Sequence, residues 1–296
     1  MTAAPGDGPV EAALVEAAPA KLNLYLHVVG RRADGYHLLD SLVAFTEHGD
    51  VVRATPAPRL GLRLDGPFAE GLDGGADNLA LKAAAALQAR TGAAGAALVL
   101  TKNLPVAAGL GGGSADAAAT LRALSRLWHA DPGEAALLEI AATLGADVPV
   151  CVRGVAAYFG GIGDELAAAP RLPPAGIVLV HPRIPLPTAQ VFAARRGPFS
   201  APARLSEGPR DAAGLAALLA RRRNDLEPAA RELVPAIATV LEALGASPGC
   251  RLARMAGSGA TCFGIYDNPV AAAAAVGWLG ARERAWWIQA TRFAAT

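Results

Sequence analysis

From residue 20 to residue 30 the chain alternates, with Leu22, Leu24, Leu26 and Val28 on one face and Lys21, Asn23, Tyr25 and His27 on the other. Period two over this length predicts a half-buried strand whose polar face either meets solvent or serves a site. Short apolar runs at 42–47, 50–55 and 60–65, broken by Gly, Asp and Pro, predict three more strands. Asp77-Asn78 reads as a cap before a helix over 79–90, and a strand follows over 96–101. Helices are then expected at 115–129 and 132–144, the second started by Asp131 ahead of Pro132, and a strand at 155–159. Prolines cluster at 170, 173 and 174 and predict the crossing between two domains, 1–168 and 169–296, with residues 1–10 a frayed tail. The second half reads as strand 177–181, helix 188–195, helices 211–222 and 227–244, strands 252–255 and 261–266, helix 269–279 and strand 285–293. A split β-α-β-β-α-β, ferredoxin-like arrangement accommodates that order.

Composition narrows the class. Apolar residues make up 53% and charged residues 18% of 296 positions, which argues for packed cores rather than disorder. A net charge of +1 leaves no electrostatic footprint for nucleic acid or an anionic membrane. Cys151, Cys250 and Cys262 are odd in number and widely spaced, with neither a metal pattern nor a disulfide framework. The alanine tracts are too short to span a bilayer, and residues 1–10 lack the pattern of a signal peptide, so the expectation is a cytoplasmic protein.

The chemistry concentrates at Pro105-Val106-Ala107-Ala108-Gly109-Leu110-Gly111-Gly112-Gly113-Ser114-Ala115. Four glycines in five positions let backbone N–H groups converge, and the helix that follows adds unpaired donors and a partial positive charge, a combination suited to phosphate. Ser114-Ala115 after the last glycine excludes the Walker pattern, which needs Lys followed by Ser or Thr. The dinucleotide fingerprint fails because Ser114 stands where its third glycine belongs. Other stretches are open to two readings. Asp34-Gly35 signals a tight turn presenting Tyr36 and His37, either as stacking partners for a planar base or as a turn followed by a core tyrosine. Asp147 in Gly145-Ala146-Asp147-Val148-Pro149 is a carboxylate in apolar surroundings, functional or the N-cap of a short turn. Gly257-Ser258-Gly259 is a ligand-facing turn or a plain hairpin connection. Lys102 reads as a solvated strand end rather than a phosphate contact.

Residues 105–115 resemble the Pro-x-x-x-Gly-Leu-Gly loop of the GHMP kinases. Pro19-Ala20-Lys21-Leu22-Asn23-Leu24 and Gly257-Ser258-Gly259-Ala260 look like the other two motifs of that superfamily, in order. The insert 30–37, the stretch 145–149 and the triple glycine narrow the resemblance to the branch that acts on a cytidine-diphosphate-linked methylerythritol. The resemblance implies an α+β, two-domain GHMP kinase fold, with an N-terminal half like domain 2 of ribosomal protein S5 and a ferredoxin-like C-terminal half. It implies ATP and Mg²⁺ as cofactors, and a small-molecule substrate as partner to a monomer or homodimer. It further implies Lys21 and Asp147 as the catalytic pair and residues 105–115 as the ATP loop. Asn23, Tyr36, His37, Thr188, Phe192, Gly257, Ser258 and Gly259 would then face the substrate, with Tyr36 and Phe192 stacking on cytosine. Ala115 stands where many relatives carry a second serine, and the acidic magnesium ligand of the wider superfamily has no obvious counterpart, which leaves Ser114 as a candidate. Asn78 is a weak candidate for the adenine pocket. Two other readings share the fold, a non-catalytic nucleotide-binding module and a decarboxylase without cytidine affinity.

Overall fold

The computed structural model describes residues 13–295, so the tail expected at 1–10 lies outside the described residues. Two sheets organise the chain. The first is built on two long antiparallel strands, β1 (Leu14–Arg31) and β2 (His37–Pro56). Along its other edge β2 pairs β4 (Ala96–Thr101) over its second half and β5 (Ala157–Gly161) over its first. Strand β3 (Gly61–Asp65) lies parallel to β4, and β6 (Glu165–Ala168) closes the far side against β5.

The strand expected over 42–47 and the one over 50–55 are therefore a single element. Gly49 is no turn; it lets the β1 backbone come close, since a Cβ there would stand 2.6 Å from Pro19 Cα. Strand β1 also starts six residues earlier than its alternation suggests and is buried on both faces from Ala20 to Val28. Its apolar Leu22 and Leu24 join Tyr25, Leu42, Ile177, Phe263 and Ile265 in a core shared by the two sheets, while its polar residues are covered by loops: Lys21 by Gly111, Asn23 by Gly257 and His27 by Ala201 and Arg223.

Helices cover the first sheet: α1 (Leu79–Thr91), α2 (Gly112–Leu127), α3 (Gly133–Leu144) and the short α4 (Val148–Arg153). Every residue of α2 from Ala115 to Leu121 is buried, and five of them, from Ala117 to Leu121, have no exposed surface. Methyl side chains let this central helix approach its neighbours on all sides, which explains the alanine tract. Helix α3 is preceded by Pro132, while the Asp131 carboxylate accepts the Gly133 N–H in a turn just before it.

The second sheet is antiparallel in the order β10-β7-β9-β8, from β7 (Gly176–His181), β8 (Leu252–Met255), β9 (Cys262–Tyr266) and β10 (Trp287–Arg292). With four helices, the first α5 (Thr188–Ala194), before β8 and α9 (Pro269–Gly280) before β10, this is the expected ferredoxin-like order. The single helix expected over 227–244 is two, α7 (Glu227–Leu233) and α8 (Ala236–Ala246), after α6 (Ala212–Ala220). Pro235 forces the break: the residue before it, Val234, is pushed to φ −134°, ψ 85°. The free edge of β1 is covered by Leu110 O accepting from Lys21 N–H, by residues 223–225 pairing with Leu26 and by Ser200 N–H donating to Val28 O.

Candidate active site

The glycine loop leaves β4, crosses the first motif and becomes α2. Gly109 (φ 75°) and Gly111 (φ 62°) adopt left-handed backbone, and Ala107 does so too at φ 51°. The first intrahelical bond runs from Ala115 N–H to Gly111 O, so the N–H groups of Gly112, Gly113 and Ser114 have no partner within the helix. Three donors at the positive end of a 16-residue helix make an anion cradle. Helix α2 thus begins at Gly112 rather than at 115, which makes Gly111 its N-cap and puts Gly112 and Gly113 inside its first turn.

Lys21 comes up beneath this cradle. It is 4% exposed, and a Cβ on Gly111 would lie 3.3 Å from its Cε, so glycine is what admits the lysine stem. Its Nζ donates to Asp147 Oδ2 at 2.7 Å, across 126 residues of chain, and stands 5.5 Å from the Phe159 ring centroid. Asp147 occupies the N-cap position of α4, yet its side chain makes no capping bond there and is spent on Lys21. The carboxylate is about one-third exposed while the lysine is buried, so the pair opens outward on the aspartate side.

The third motif docks on the second through bare backbone. A Cβ at Gly109 would meet Ala256 O at 2.5 Å, and one at Gly257 would meet Gly109 O at 2.6 Å. Thr261 N–H donates to Ala108 O, and buried Asn224 holds the turn by donating to Met255 O and Gly257 O. Asn23 donates to Ser41 Oγ, leaving a buried Oδ1 without a partner among the described residues, directed toward Gly257. Ser258 and Thr188 share a hydroxyl–hydroxyl bond of 2.7 Å, which joins the turn to the start of α5.

Residues of the Asp-Gly-Tyr-His turn meet α5 from the other side. His37 stacks on Phe192 with ring centroids 5.1 Å apart and planes at 27°. Burial, with Arg31 and Arg195 nearby, holds its pKa below the usual histidine value. Tyr36 is 64% exposed, held out by a turn closed by Arg32 N–H to Tyr36 O. The structure therefore pairs Phe192 with His37, not with Tyr36.

One expectation changes. Lys102 is not a solvated strand end: it is buried and ion-paired with Asp50 on β2 and with Asp116 on α2, the latter at 2.5 Å. Burial works against its charge, but the two carboxylates outweigh it and raise its pKa. Burial pushes the Asp116 carboxyl up to about 7 against the pull of Lys102. Asn78 is the N-cap of α1, as its place before the helix predicts, accepting from Ala80 N–H and donating to Asp73 O. Asp50, Asp116 and Asn224 were missed in the sequence, although a lone acid in the alanine run of α2 is a signal that it has a partner. Among the described residues no cluster of three or more His, Cys, Asp or Glu could hold a metal.

A glycine loop feeding a buried helix, a roofed first strand and a second glycine turn from a ferredoxin-like sheet define the class. The GHMP kinases N terminal domain model matches residues 78–155 and the GHMP kinases C terminal model residues 205–279. The chain is 54% identical to a 4-diphosphocytidyl-2-C-methyl-D-erythritol kinase of Paramagnetospirillum magneticum, over 92% of this chain and 95% of that one. It is 53% identical to the same-named protein of Rhodospirillum rubrum, over 96% and 94% of the two chains. A crystal structure of 4-(cytidine 5'-diphospho)-2C-methyl-D-erythritol kinase superposes with a TM-score of 0.77 at 34% identity, covering 95% of this chain and 100% of that one. A homoserine kinase of Cytophaga hutchinsonii shares the fold at a TM-score of 0.73 and 16% identity. The chain belongs to the GHMP kinases and, within them, to the family of the 4-diphosphocytidyl-2-C-methyl-D-erythritol kinases.

Proposed function

We propose that the chain transfers the γ-phosphoryl group of ATP to the 2-hydroxyl of 4-diphosphocytidyl-2-C-methyl-D-erythritol, a step of non-mevalonate isoprenoid synthesis. The observation that carries the reading is the Lys21–Asp147 pair beside Gly111, where a charged acceptor–donor couple adjoins an anion cradle. Phosphoryl transfer asks for positioning and charge compensation more than for covalent chemistry. The N–H groups of Gly112, Gly113 and Ser114 grip the ATP phosphates. Asp147 accepts the proton of the 2-hydroxyl as its oxygen attacks the γ-phosphorus; the bond to the bridging oxygen breaks and ADP leaves. Lys21 balances the carboxylate and the charge on the transferring group. Mg²⁺ would be held by ATP oxygens and water, with Ser114 in the first turn of α2 a candidate protein ligand; bound there it would draw charge off the phosphates.

His37, Phe192 and Tyr36 form the cytosine end in this reading. Depressed basicity keeps the His37 ring neutral, so it offers one donor and one acceptor, the pairing a cytosine edge requires. Tyr36 swings in to supply a stacking face, and Asn23, Thr188, Gly257, Ser258 and Gly259 shape the floor between base and phosphate. Residues up to 168 carry ATP and the catalytic pair, and residues from 169 complete the acceptor site. No helix among the described residues is long and apolar enough to cross a membrane. A coupled assay with Mg²⁺, ATP and the cytidyl substrate tests the proposal: turnover is expected, and turnover on mevalonate or homoserine instead would overturn it.

A further inference from the structure

A second buried lysine underlies the glycine loop and takes no part in the chemistry above. An added Cβ on Gly112 would lie 3.6 Å from Lys102 Nζ and 3.5 Å from Asp50 Oδ2, so Lys102 sits under Gly112 much as Lys21 sits under Gly111. The two ammonium groups are used in opposite ways. Lys21 meets a carboxylate that is partly exposed, whereas Lys102 is enclosed by two carboxylates that are almost wholly buried. One cation between two acids leaves no positive surplus to attract phosphate, so the group cannot act as a long-range lure.

Its connections describe a brace. Asp50 is fixed in β2, and its other oxygen accepts the backbone N–H groups of Asn103 at 2.5 Å and Leu104 at 2.8 Å, where the chain enters the loop. The Asn103 side chain adds a bond to Gly49 O. Asp116 lies in α2, one turn past the loop exit, and its second oxygen has no hydrogen-bond partner among the described residues. Lys102 therefore ties the entry and the exit of the loop to one point on the central strand.

We propose that Lys102, through Asp50 and Asp116, is a positioning residue that aims the N–H groups of Gly112, Gly113 and Ser114 at the nucleotide phosphates. The inference rests on the reading that this loop holds ATP. It predicts a selective defect: cutting the tie to α2 lets the helix start drift and weakens the nucleotide site, while the cytosine end, built from His37, Tyr36 and α5, is untouched.

Asp116→Ala in the full chain makes that cut and leaves Lys102 with Asp50 as a balanced pair. Calorimetry should show the dissociation constant for ADP rising about ten-fold and that for CDP staying within about two-fold, with the kinetic loss in KM for ATP rather than in kcat. Asp116→Asn, whose amide oxygen still accepts from Lys102, should recover ADP binding to within about three-fold of the parent. Equal weakening of ADP and CDP, unchanged ADP binding in Asp116→Ala, or an Asn variant no better than the Ala one would overturn the proposal. If Asp116→Ala does not fold by circular dichroism, Lys102→Arg carries the same comparison, since a guanidinium cannot replace a point charge between two carboxylates. A parent protein that binds ADP without phosphorylating the cytidyl substrate would end the acceptor assignment and leave this one standing. A parent that does not bind ADP would overturn both.

Discussion

Replacing Gly109 with Ala tests whether the glycine loop is seated on the third motif by backbone contact. At φ 75° an L-residue costs about 1–2 kcal/mol in the left-handed region. The new Cβ would also stand 2.5 Å from Ala256 O and 2.8 Å from both Gly259 N and Gly259 O, all backbone atoms that cannot rotate away. Forcing the two turns apart adds about 1–3 kcal/mol of the overpacking kind. The sum centres on about 3.5 kcal/mol, which for a chain of this size lowers the melting temperature by roughly 7–14 °C. Gly92→Ala is the matched control, since Gly92 has φ 67° but nothing within 4 Å of its would-be Cβ. That change should cost only the left-handed penalty, about 1–2 kcal/mol and roughly 2–8 °C. Differential scanning calorimetry of both variants, with KM for ATP measured beside it, separates conformational strain from lost docking. Equal shifts in the two variants, with KM unmoved in Gly109→Ala, would refute the seated-loop account.

Asp147→Asn removes the proton acceptor but keeps a partner for Lys21, so kcat should fall roughly 10²–10⁴-fold while ADP binding holds; near-normal turnover would remove Asp147 as base. Tyr36→Ala should weaken CDP binding by about 1–3 kcal/mol, the worth of one stacked base, and leave ADP binding alone; calorimetry with each nucleotide decides. His181 is buried and its pKa is lowered to about 4, by burial first and Arg183 second. The unfolded chain protonates it near pH 6.5 and the folded one does not, so its contribution is present above that pH and fades as pH falls toward 4. By pH 4.5 the loss reaches about 2.5 kcal/mol, and His181→Gln should flatten the urea-stability profile between pH 7 and 4.5 by that amount. A profile parallel to the parent's would contradict it.

Local chemistry in the sequence reached some of this and not the rest. The glycine loop was legible because its function needs residues without Cβ atoms, at Gly109 and Gly111 above all, and glycine is conspicuous in print. The ferredoxin-like half was legible for a similar reason, as its strands are short and separately bounded. Strand β1 misled because alternation reports one apolar face, while the glycine loop, the 256–260 turn and residues 201 and 223 cover the other and bury Lys21, Asn23 and His27 as well. Gly49 and Pro235 misled in opposite directions: glycine marked a close approach rather than a turn, and proline broke a helix whose apolar period ran on. The meeting of Lys21 with Asp147 spans 126 residues, so periodicity was blind to it and only the motif resemblance pointed there. Lys102 was misjudged because a strand end next to a polar loop looks wet, and its two acid partners lie 52 and 14 residues away.

The account stands most directly on one comparison, phosphorylated product formed from ATP and 4-diphosphocytidyl-2-C-methyl-D-erythritol by the parent protein and by Lys21→Met. The parent should yield ADP and one phosphate ester at the 2-position, seen as a new phosphorus resonance. Removing the ammonium that meets Asp147 should cut the rate by roughly 10²-fold or more. Equal rates in the two proteins, or ADP released with no ester formed, would contradict the placement of phosphoryl transfer at this pair.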